Sequence, residues 1–204
     1  MQMDSQAQVI AAFDFDGTLT DRDTTLSFFI FNAGFWKTWM RIIRTIPKLI
    51  GFIFGVVTRL EAKESLFSLF YKGMGQKELA TVGQRFAENC IAKFLKAEAM
   101  ERLQWHRTQG HRCILISASL DVYLKPWGEK VGFEGVIASQ LAFDHEGKAT
   151  GKLEGLNCRK GEKVRRLKEL VGPLNQYVIY AYGDSDGDQE LLEAATHPFY
   201  RKFR

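Results

Sequence analysis

The feature that most constrains this chain is a short apolar run that ends directly in two acidic residues. Residues 9–13 read Val-Ile-Ala-Ala-Phe and are closed by Gly17, a pattern that predicts a buried strand of a parallel sheet. Asp14 and Asp16 follow at the carboxyl end of that strand, where open α/β sheets bind ligands. Because two buried negative charges are costly without a cation, we expect a divalent metal ion and a lysine beside them.

The rest of the chain alternates between short apolar runs and helical patterns. The turn-rich residues 143–148 predict a hairpin, and Pro126 is expected to kink or restart the helix around it. This alternation predicts an α/β fold with a doubly wound parallel sheet. The predicted strands are 112–116, 135–139 and 176–182, and the predicted helices are 76–109 (with a break in the middle), 120–131, 160–171 and 189–195.

Composition narrows the class of protein. The chain has 204 residues, of which 46% are hydrophobic and 25% charged, and this balance is typical of a globular protein. The net charge of +4 is too small to indicate a nucleic-acid partner. The three cysteines lie far apart and outside any C-x-x-C pair, which favours reduced thiols and a cytoplasmic location. The first residues lack the basic start of a signal peptide.

Residues 24–60 contain no acidic residue but several basic ones, and two interpretations of this segment are open. Its aromatic and basic helices could lie on an anionic membrane surface, with contact through residues 35–59. Alternatively, they form a small helical subdomain whose apolar face packs internally. The longest uncharged runs have thirteen and ten residues, short of the ~20 that cross a bilayer. The basic residues are Lys37, Arg41, Arg44, Lys48 and Arg59, with Pro47 expected to interrupt the helix.

Polar residues also follow the other predicted strands. Ser117 ends the second strand, Asp184 and Asp188 follow the last one, and Lys160 and Lys163 begin the helix before it. Phosphoryl transfer through a carboxylate needs a nucleophile, a second acid, oxygen ligands for Mg²⁺, and hydroxyl and ammonium groups for the phosphate. The residues predicted at the carboxyl edge of the sheet include every one of these chemical groups.

Four segments resemble, in order, the motifs of the haloacid dehalogenase (HAD)-like phosphatase superfamily. They are the DFDGTLT sequence at 14–20, Ser117, Lys160 and the GDSDGD sequence at 183–188. The acid-free insert resembles the helical C1 cap of subfamily IB, the branch similar to phosphoserine phosphatase. This resemblance implies a HAD-like core formed by residues 1–22 and 95–204, with a small α-helical cap, residues 23–94, inserted after the first strand.

The same resemblance implies a role for each matching residue. Asp14 would be the nucleophile and a Mg²⁺ ligand, and Asp16 the general acid/base, with its backbone carbonyl on the metal. Asp184 would bind Mg²⁺, and Asp188 would support that site. Residues implied to bind phosphate are Thr18, Ser117, Ala118 and Lys160, with Lys160 preferred to Lys163 one helical turn later. Two local alternatives stay open, since Ser117 or Ser119 could cap the next helix and Asp23 could either touch substrate or cap a helix.

The substrate is less constrained than the chemistry. Gly17 and the Ser117-Ala118-Ser119 sequence depart from phosphoserine phosphatase, which has serine and Ser-Gly-Gly there. The Ser-Ala-Ser sequence, the basic apolar cap and the His-Pro-Phe-Tyr sequence at 197–200 are more similar to the bacterial phosphatidylglycerophosphatase-type subgroup, which implies a lipid phosphate. A small soluble phosphate ester is the alternative substrate. A non-catalytic phosphate-binding or regulatory module is a further alternative, although receiver domains lack an acid two residues after the nucleophile.

Overall fold

The computed structural model describes residues 8–44 and 57–203, together with Ile46 and Gly55. Within this part of the chain, five parallel strands form one sheet, and the predicted doubly wound α/β fold is confirmed. The strands are β1 (Val9–Phe13), β2 (Arg112–Leu120), β3 (Gly135–Ser139), β6 (Val178–Gly183) and β7 (His197–Tyr200), in the spatial order β3-β2-β1-β6-β7. The predicted hairpin is the antiparallel pair β4 (Leu141–Phe143) and β5 (Ala149–Leu153).

The helices follow the predicted alternation with one difference. The long pattern predicted over 76–109 is broken in the middle, as expected, and forms two helices joined by a short turn, Ile91–Lys93. The helix around Pro126 runs without interruption, and the proline is accommodated inside it. The helices are α1 (Thr24–Ala33), α2 (Phe35–Ile43), α3 (Arg59–Tyr71), α4 (Gln76–Asn89), α5 (Ala97–Thr108), α6 (Asp121–Val131), α7 (Gly161–Val171) and α8 (Gln189–Glu193).

Alternate residues of β1 enter two separate cores. Ala11 and Phe13 belong to a large aromatic core shared with α1, α3, α4, α5 and α6. Ile10 and Ala12 belong to a smaller core shared with α7 and α8. Because both faces of the sheet are covered, β1 has no solvent face, which explains why its sequence is apolar throughout rather than alternating.

The central position of β1 places the functional edge of the sheet. Phe13 pairs with Leu115 of β2 on one side and with Tyr182 of β6 on the other. All three strands run in parallel, so their carboxyl ends meet at one edge. The residues that follow Phe13, Leu115 and Tyr182 therefore come together although they are distant in sequence.

The edge strand β7 was not predicted from the sequence. It pairs in parallel with β6, and its Phe199 ring stacks on the Tyr182 ring with centroids 4.8 Å apart. Pro198 lacks the N–H of a ladder residue, and such residues are confined to edge strands. The short segment around Pro198 thus completes the sheet.

Helices α1 and α4 pack over the carboxyl end of the sheet. Phe28 of α1 and Phe86 of α4 both contact the buried ring of Tyr123 in α6, with centroids 4.8 and 5.2 Å apart. Gly83 permits the close approach of α4, because a Cβ at this position would lie 2.2 Å from the Val122 carbonyl oxygen. The division into a core and a cap at residues 22/23 and 94/95 stays a prediction.

Candidate active site

Asp14 lies immediately after β1, and its carboxylate is buried. Its N–H donates to the Tyr182 carbonyl at 2.9 Å, which continues the β1–β6 ladder and fixes the backbone. Asp14 Oδ1 accepts a hydrogen bond from Lys163 Nζ at 2.5 Å, and Oδ2 accepts one from Thr18 Oγ1 at 3.1 Å. Burial raises the pKa of Asp14 to about 7, against the opposing effect of the Lys163 ammonium.

Lys163 joins two carboxylates. Its Nζ donates to Asp14 Oδ1 and to Asp188 Oδ1, both at 2.5 Å, and only 2% of its side chain is exposed. Burial alone would lower the pKa of Lys163, but the charges of Asp14 and Asp188 outweigh that effect and raise it. Lys163 is therefore a fixed positive charge at the carboxyl edge of the sheet.

Lys163, and not Lys160, occupies the place expected for the motif lysine. Lys160 is exposed, and its backbone precedes α7 in a left-handed conformation with φ of 55°. Its N–H donates to the Gly187 carbonyl at 2.7 Å. The ammonium that contacts Asp14 and Asp188 is that of Lys163, so the sequence-based preference for Lys160 is corrected. The Thr18 hydroxyl, which was predicted to bind phosphate, is buried and contacts carboxylates instead. It donates to Asp14 and lies 3.5 Å from Asp184.

The Asp16 carboxylate is held by groups other than Lys163. Its Oδ1 accepts hydrogen bonds from the N–H and the hydroxyl of Thr24, both at 2.7 Å, and its Oδ2 accepts one from Ser119 Oγ. Burial, followed by the charge of Asp23, raises the pKa of Asp16 to about 6. A carboxyl group that changes protonation near neutral pH is suited to act as both an acid and a base.

The end of β2 supplies hydroxyl and carbonyl groups to the same edge. Ser117 is buried, and its Oγ accepts a hydrogen bond from the Ser119 N–H at 3.0 Å, which leaves its own proton to be donated. The Ala118 carbonyl accepts a hydrogen bond from Lys63 Nζ at 2.7 Å. The predicted phosphate-binding residues Ser117 and Ala118 thus lie at the carboxyl edge, as their position in the sequence indicated.

The loop after β6 is shaped by Asp188. Its Oδ2 accepts hydrogen bonds from the Asp184 N–H at 3.3 Å, the Ser185 N–H at 3.1 Å and the Ser185 hydroxyl at 2.9 Å. These contacts turn the chain so that the half-buried Asp184 carboxylate faces Asp14. Burial, followed by the nearby charge of Asp188, raises the pKa of Asp184.

The acidic cluster fits a hard divalent cation. One oxygen from each of Asp14, Asp184 and Asp188 lies within 4.8 Å of the others. Carboxylate oxygens are the donors that Mg²⁺ prefers, and Asp188 already holds Lys163 and the loop. Asp14 and Asp184 are therefore the side chains that would hold Mg²⁺. Asp16 lies outside this group of carboxylates, and the predicted contribution of its backbone carbonyl stays a prediction.

Sequence reasoning missed Lys63, which α3 extends into the site. Its Nζ donates to the Ala118 carbonyl at 2.7 Å and to Asn157 Oδ1 at 2.8 Å. Burial lowers the pKa of Lys63 to about 8, although the charges of Asp23 and Asp16 act in the opposite direction. A lysine on a helix is ordinarily a solvated surface residue, so nothing in its sequence context marked it.

A cleft of about 770 Å³ opens above these residues and has two kinds of wall. Its floor is formed by the polar side chains described above, among them Asp14, Ser117 and Lys163. Its upper wall is apolar and comes from the helices that follow β1, through Leu26, Phe29, Ile42, Ala62 and Leu66. Asp23 lies at the junction of the two walls, where its Oδ1 caps α1 by accepting from the Thr25 N–H at 2.7 Å.

This fold and site define the class of the protein, which is an enzyme, a phosphatase. The chain belongs to the haloacid dehalogenase-like hydrolase family, whose model matches residues 11–193. The family membership predicted from the four motifs is thereby confirmed. The assignment to subfamily IB and to the lipid-phosphatase subgroup stays a prediction.

The similarity to individual proteins extends over nearly the whole length of this chain. Protein CicA of Caulobacter vibrioides is 34% identical over 197 residues, which cover 96% of this chain and 87% of CicA. A structure of a protein of unknown function from Bordetella pertussis Tohama I is 25% identical, with a TM-score of 0.81, covering 96% of this chain and 90% of that one. A phosphoserine phosphatase, solved as a phospho-aspartyl intermediate analogue, shares the fold with a TM-score of 0.59 at 20% identity, covering 93% and 84%.

Proposed function

We propose that this protein is a Mg²⁺-dependent phosphomonoester hydrolase that uses Asp14 as its nucleophile. The observation that carries the proposal is the separation of two carboxylates at one sheet edge, the buried Asp14 and the half-buried Asp16. Asp14 is paired with Lys163, whereas Asp16 is held by Thr24 and Ser119 and faces the same cleft. Two carboxylates in different environments are suited to different roles, one as nucleophile and one as acid/base.

In the first step, an Asp14 oxygen attacks phosphorus and the bond from phosphorus to the ester oxygen breaks. The departing oxygen takes a proton from Asp16, and Asp14 is left as an acyl phosphate. Lys163 favours the ionised form of Asp14 that this attack requires. Ser117 and Lys163 would donate to the phosphate oxygens. When bound, Mg²⁺ supplies positive charge that offsets the negative charge of the phosphate.

In the second step, water attacks the phosphorus of the acyl phosphate and gives a proton to Asp16. The bond between the Asp14 oxygen and phosphorus then breaks, which releases inorganic phosphate and restores the Asp14 carboxylate and the protonated Asp16. The position of Asp16 beside the cleft suits it to serve both steps.

A panel of phosphomonoesters tests this proposal. We expect release of inorganic phosphate that is lost when a chelator removes divalent metal and is restored by added Mg²⁺, because Asp14 and Asp184 form an oxygen-donor site. The panel should include phosphoserine, other small soluble esters and a lipid phosphomonoester in vesicles. Equal turnover with and without the chelator, after dialysis against it, would contradict the metal requirement.

The two walls of the cleft favour a lipid phosphomonoester as the substrate. A phosphate bound near Lys163 would place the rest of the ester against the apolar wall that includes Leu26, Phe29 and Leu66. A small polar ester such as phosphoserine would leave this wall without a partner. Efficient hydrolysis of phosphoserine, with no activity on the lipid, would instead support the phosphoserine phosphatase-like alternative.

Helix α2 carries an exposed apolar surface that supports contact with a membrane. Trp36, Met40 and Ile43 are 78%, 62% and 60% exposed, and Phe35 and Trp39 extend the same surface. The helix carries Lys37 and Arg41, Arg44 follows directly at its C-terminal end, and this segment has no acidic residue. Exposed tryptophan beside basic residues matches the surface of an anionic bilayer, where the ring enters the interface and the cations meet the headgroups.

The same helix contributes Ile42 to the wall of the cleft. We infer that α2 rests on the anionic surface of a lipid bilayer, so that a lipid headgroup could enter the cleft from there. Among the described residues no helix is long and apolar enough to cross a membrane. Lys48 and Pro47, which belong to the predicted contact segment 35–59, lie outside the described residues.

Vesicle sedimentation tests the role of α2. Replacing Trp36 and Met40 together with serine should lower the affinity for anionic vesicles at least ~10-fold, because each large apolar side chain contributes about 1.5–3 kcal/mol when fully buried. Added salt should weaken binding of the unchanged protein, since the basic residues contribute. Trp105→Ser, at a partly exposed tryptophan of α5, is the matched control and should bind as the unchanged protein does.

Hydrolysis of a small soluble ester should be unchanged in the double variant, because neither residue lines the cleft described above. Failure of the unchanged protein to sediment with anionic vesicles, or equal sedimentation of the double variant, would contradict membrane contact through α2.

A further inference from the structure

We propose that Ser119 is a positioning residue that holds the acid/base carboxylate of Asp16 in place for both steps of the reaction. This inference rests on the proposed function. None of the four motifs contains Ser119, and the phosphoserine phosphatase sequence has glycine in its place. Ser119 lies near the carboxyl end of β2, directly before α6, and 3% of the residue is exposed.

Two of the hydrogen bonds made by Ser119 link the ends of different elements. Its Oγ donates to Asp16 Oδ2, and its N–H donates to Ser117 Oγ at 3.0 Å. A single residue at the end of β2 therefore fixes both the acid/base carboxylate and the serine that would bind phosphate. Side chains held by regular elements are placed more accurately than those held by loops alone.

Without Ser119, Asp16 would be held from one side only. The remaining hydrogen bonds to its carboxylate come from Thr24, whose N–H and hydroxyl both donate to Oδ1 at 2.7 Å. Thr24 is the first residue of α1, so these contacts belong to the helices that cover the sheet. The Ser119 hydroxyl is the contact that anchors Asp16 to the sheet itself.

A hydroxyl also suits a carboxyl group that alternates between two protonation states. It donates to the ionised form of Asp16, and it accepts from the protonated form once its own proton turns towards another oxygen. Thr25 Oγ1 lies 3.5 Å from Ser119 Oγ and offers that second oxygen. Glycine or alanine at position 119 would provide neither contact.

The competing interpretation is that the Ser119 hydroxyl binds the phosphate of the substrate directly, since the residue lines the cleft. The two roles differ in their kinetic signature. A contact with substrate contributes to KM, whereas positioning of an acid contributes to the barrier of the step in which the leaving oxygen is protonated. That barrier depends on how strongly the leaving group needs the proton.

The test compares two substrates in Ser119→Ala, using kcat/KM because it reports steps up to the transfer of phosphate to Asp14. We expect a loss of about 10–100-fold on an alkyl phosphomonoester, whose alkoxide must be protonated as it leaves. For p-nitrophenyl phosphate, whose leaving group departs as a stable anion, the loss should be about twofold or less. KM for the alkyl ester should be little changed, and Ser119→Thr, which retains a hydroxyl, should recover most of the activity.

Ser139→Ala is the matched control, because Ser139 is also buried at the end of a strand but contacts Asn157 and Cys158 instead of Asp16. Any effect of this variant should be the same on both substrates. Equal losses on both substrates in Ser119→Ala, or a rise in KM with unchanged kcat, would overturn the positioning role. If the unchanged protein hydrolyses no phosphomonoester, the proposed function itself fails, which is a separate outcome.

Discussion

Asp14→Asn is expected to abolish phosphate release, with a fall in kcat on the order of 10⁴-fold or more, the size found when a catalytic nucleophile is removed. The asparagine has the shape of the aspartate but is a far weaker nucleophile, and its amide has no negative charge to pair with Lys163. The substitution therefore removes the chemistry while it retains the volume of the side chain. No acyl phosphate can form on the protein.

Trapping of the intermediate provides the direct measurement. A labelled phosphomonoester is mixed with the protein, and the reaction is quenched in acid within milliseconds. The unchanged protein should carry label that hydroxylamine removes, as expected of an acyl phosphate, and Asp14→Asn should carry none. Asp186→Asn is the matched control, since Asp186 is an exposed carboxylate at the rim of the same cleft, paired with Arg159.

The control variant should retain its label and turnover. Activity of Asp14→Asn within about tenfold of the unchanged protein, far above the residual level expected without a nucleophile, would show that another group attacks the phosphorus.

Lys163→Met is expected to have the next largest effect, on both activity and stability. The ammonium of Lys163 contacts Asp14 and Asp188 at 2.5 Å each, and its removal leaves two buried carboxylates without their shared cation. Breaking a buried ion pair from one side typically costs about 3–5 kcal/mol of folding free energy. Loss of a charged group at the phosphate site should also lower kcat by roughly 10²–10³-fold.

Lys160→Met is the control that separates the two lysines. Lys160 is exposed at the start of α7, so its replacement should change the free energy of unfolding by no more than about 0.5 kcal/mol and leave kcat within about twofold. Urea denaturation and steady-state kinetics on both variants measure these effects. A larger loss of activity in Lys160→Met than in Lys163→Met would reverse the assignment.

The edge of the sheet could be predicted from the sequence because parallel strands are directional. Once residues 9–13, 112–116 and 176–182 are recognised as parallel strands, their carboxyl ends must meet, and Asp14, Ser117 and Asp184 follow those ends. The start of α7 was predicted too, but the face it presents was not. Lys160 precedes the helix with a positive φ of 55°, which is uncommon for a lysine and leaves no signal in the sequence.

Two other features escaped prediction for reasons of tertiary structure. The strand β7 has only four residues and includes Pro198, so neither its length nor its composition marks a strand, and it forms because β6 offers an open edge. Lys63 has the sequence context of a surface residue, and only the packing of α3 over the end of β2 brings its ammonium to the Ala118 carbonyl. In both cases a long-range contact overrides the local pattern.

The position of β1 in the middle of the sheet has a consequence for how the molecule folds. Asp14 and Lys163 are 149 positions apart in the chain, and Thr18 and Asp184 are 166 apart. Contacts of such long range carry a large loop-closure entropy and are typical of slowly folding topologies. Until β6 and α7 dock beside β1, the carboxylate of Asp14 has no ammonium beside it. Assembly of the catalytic group is thus coupled to some of the least local contacts of the fold, and a chain without these contacts has no working site.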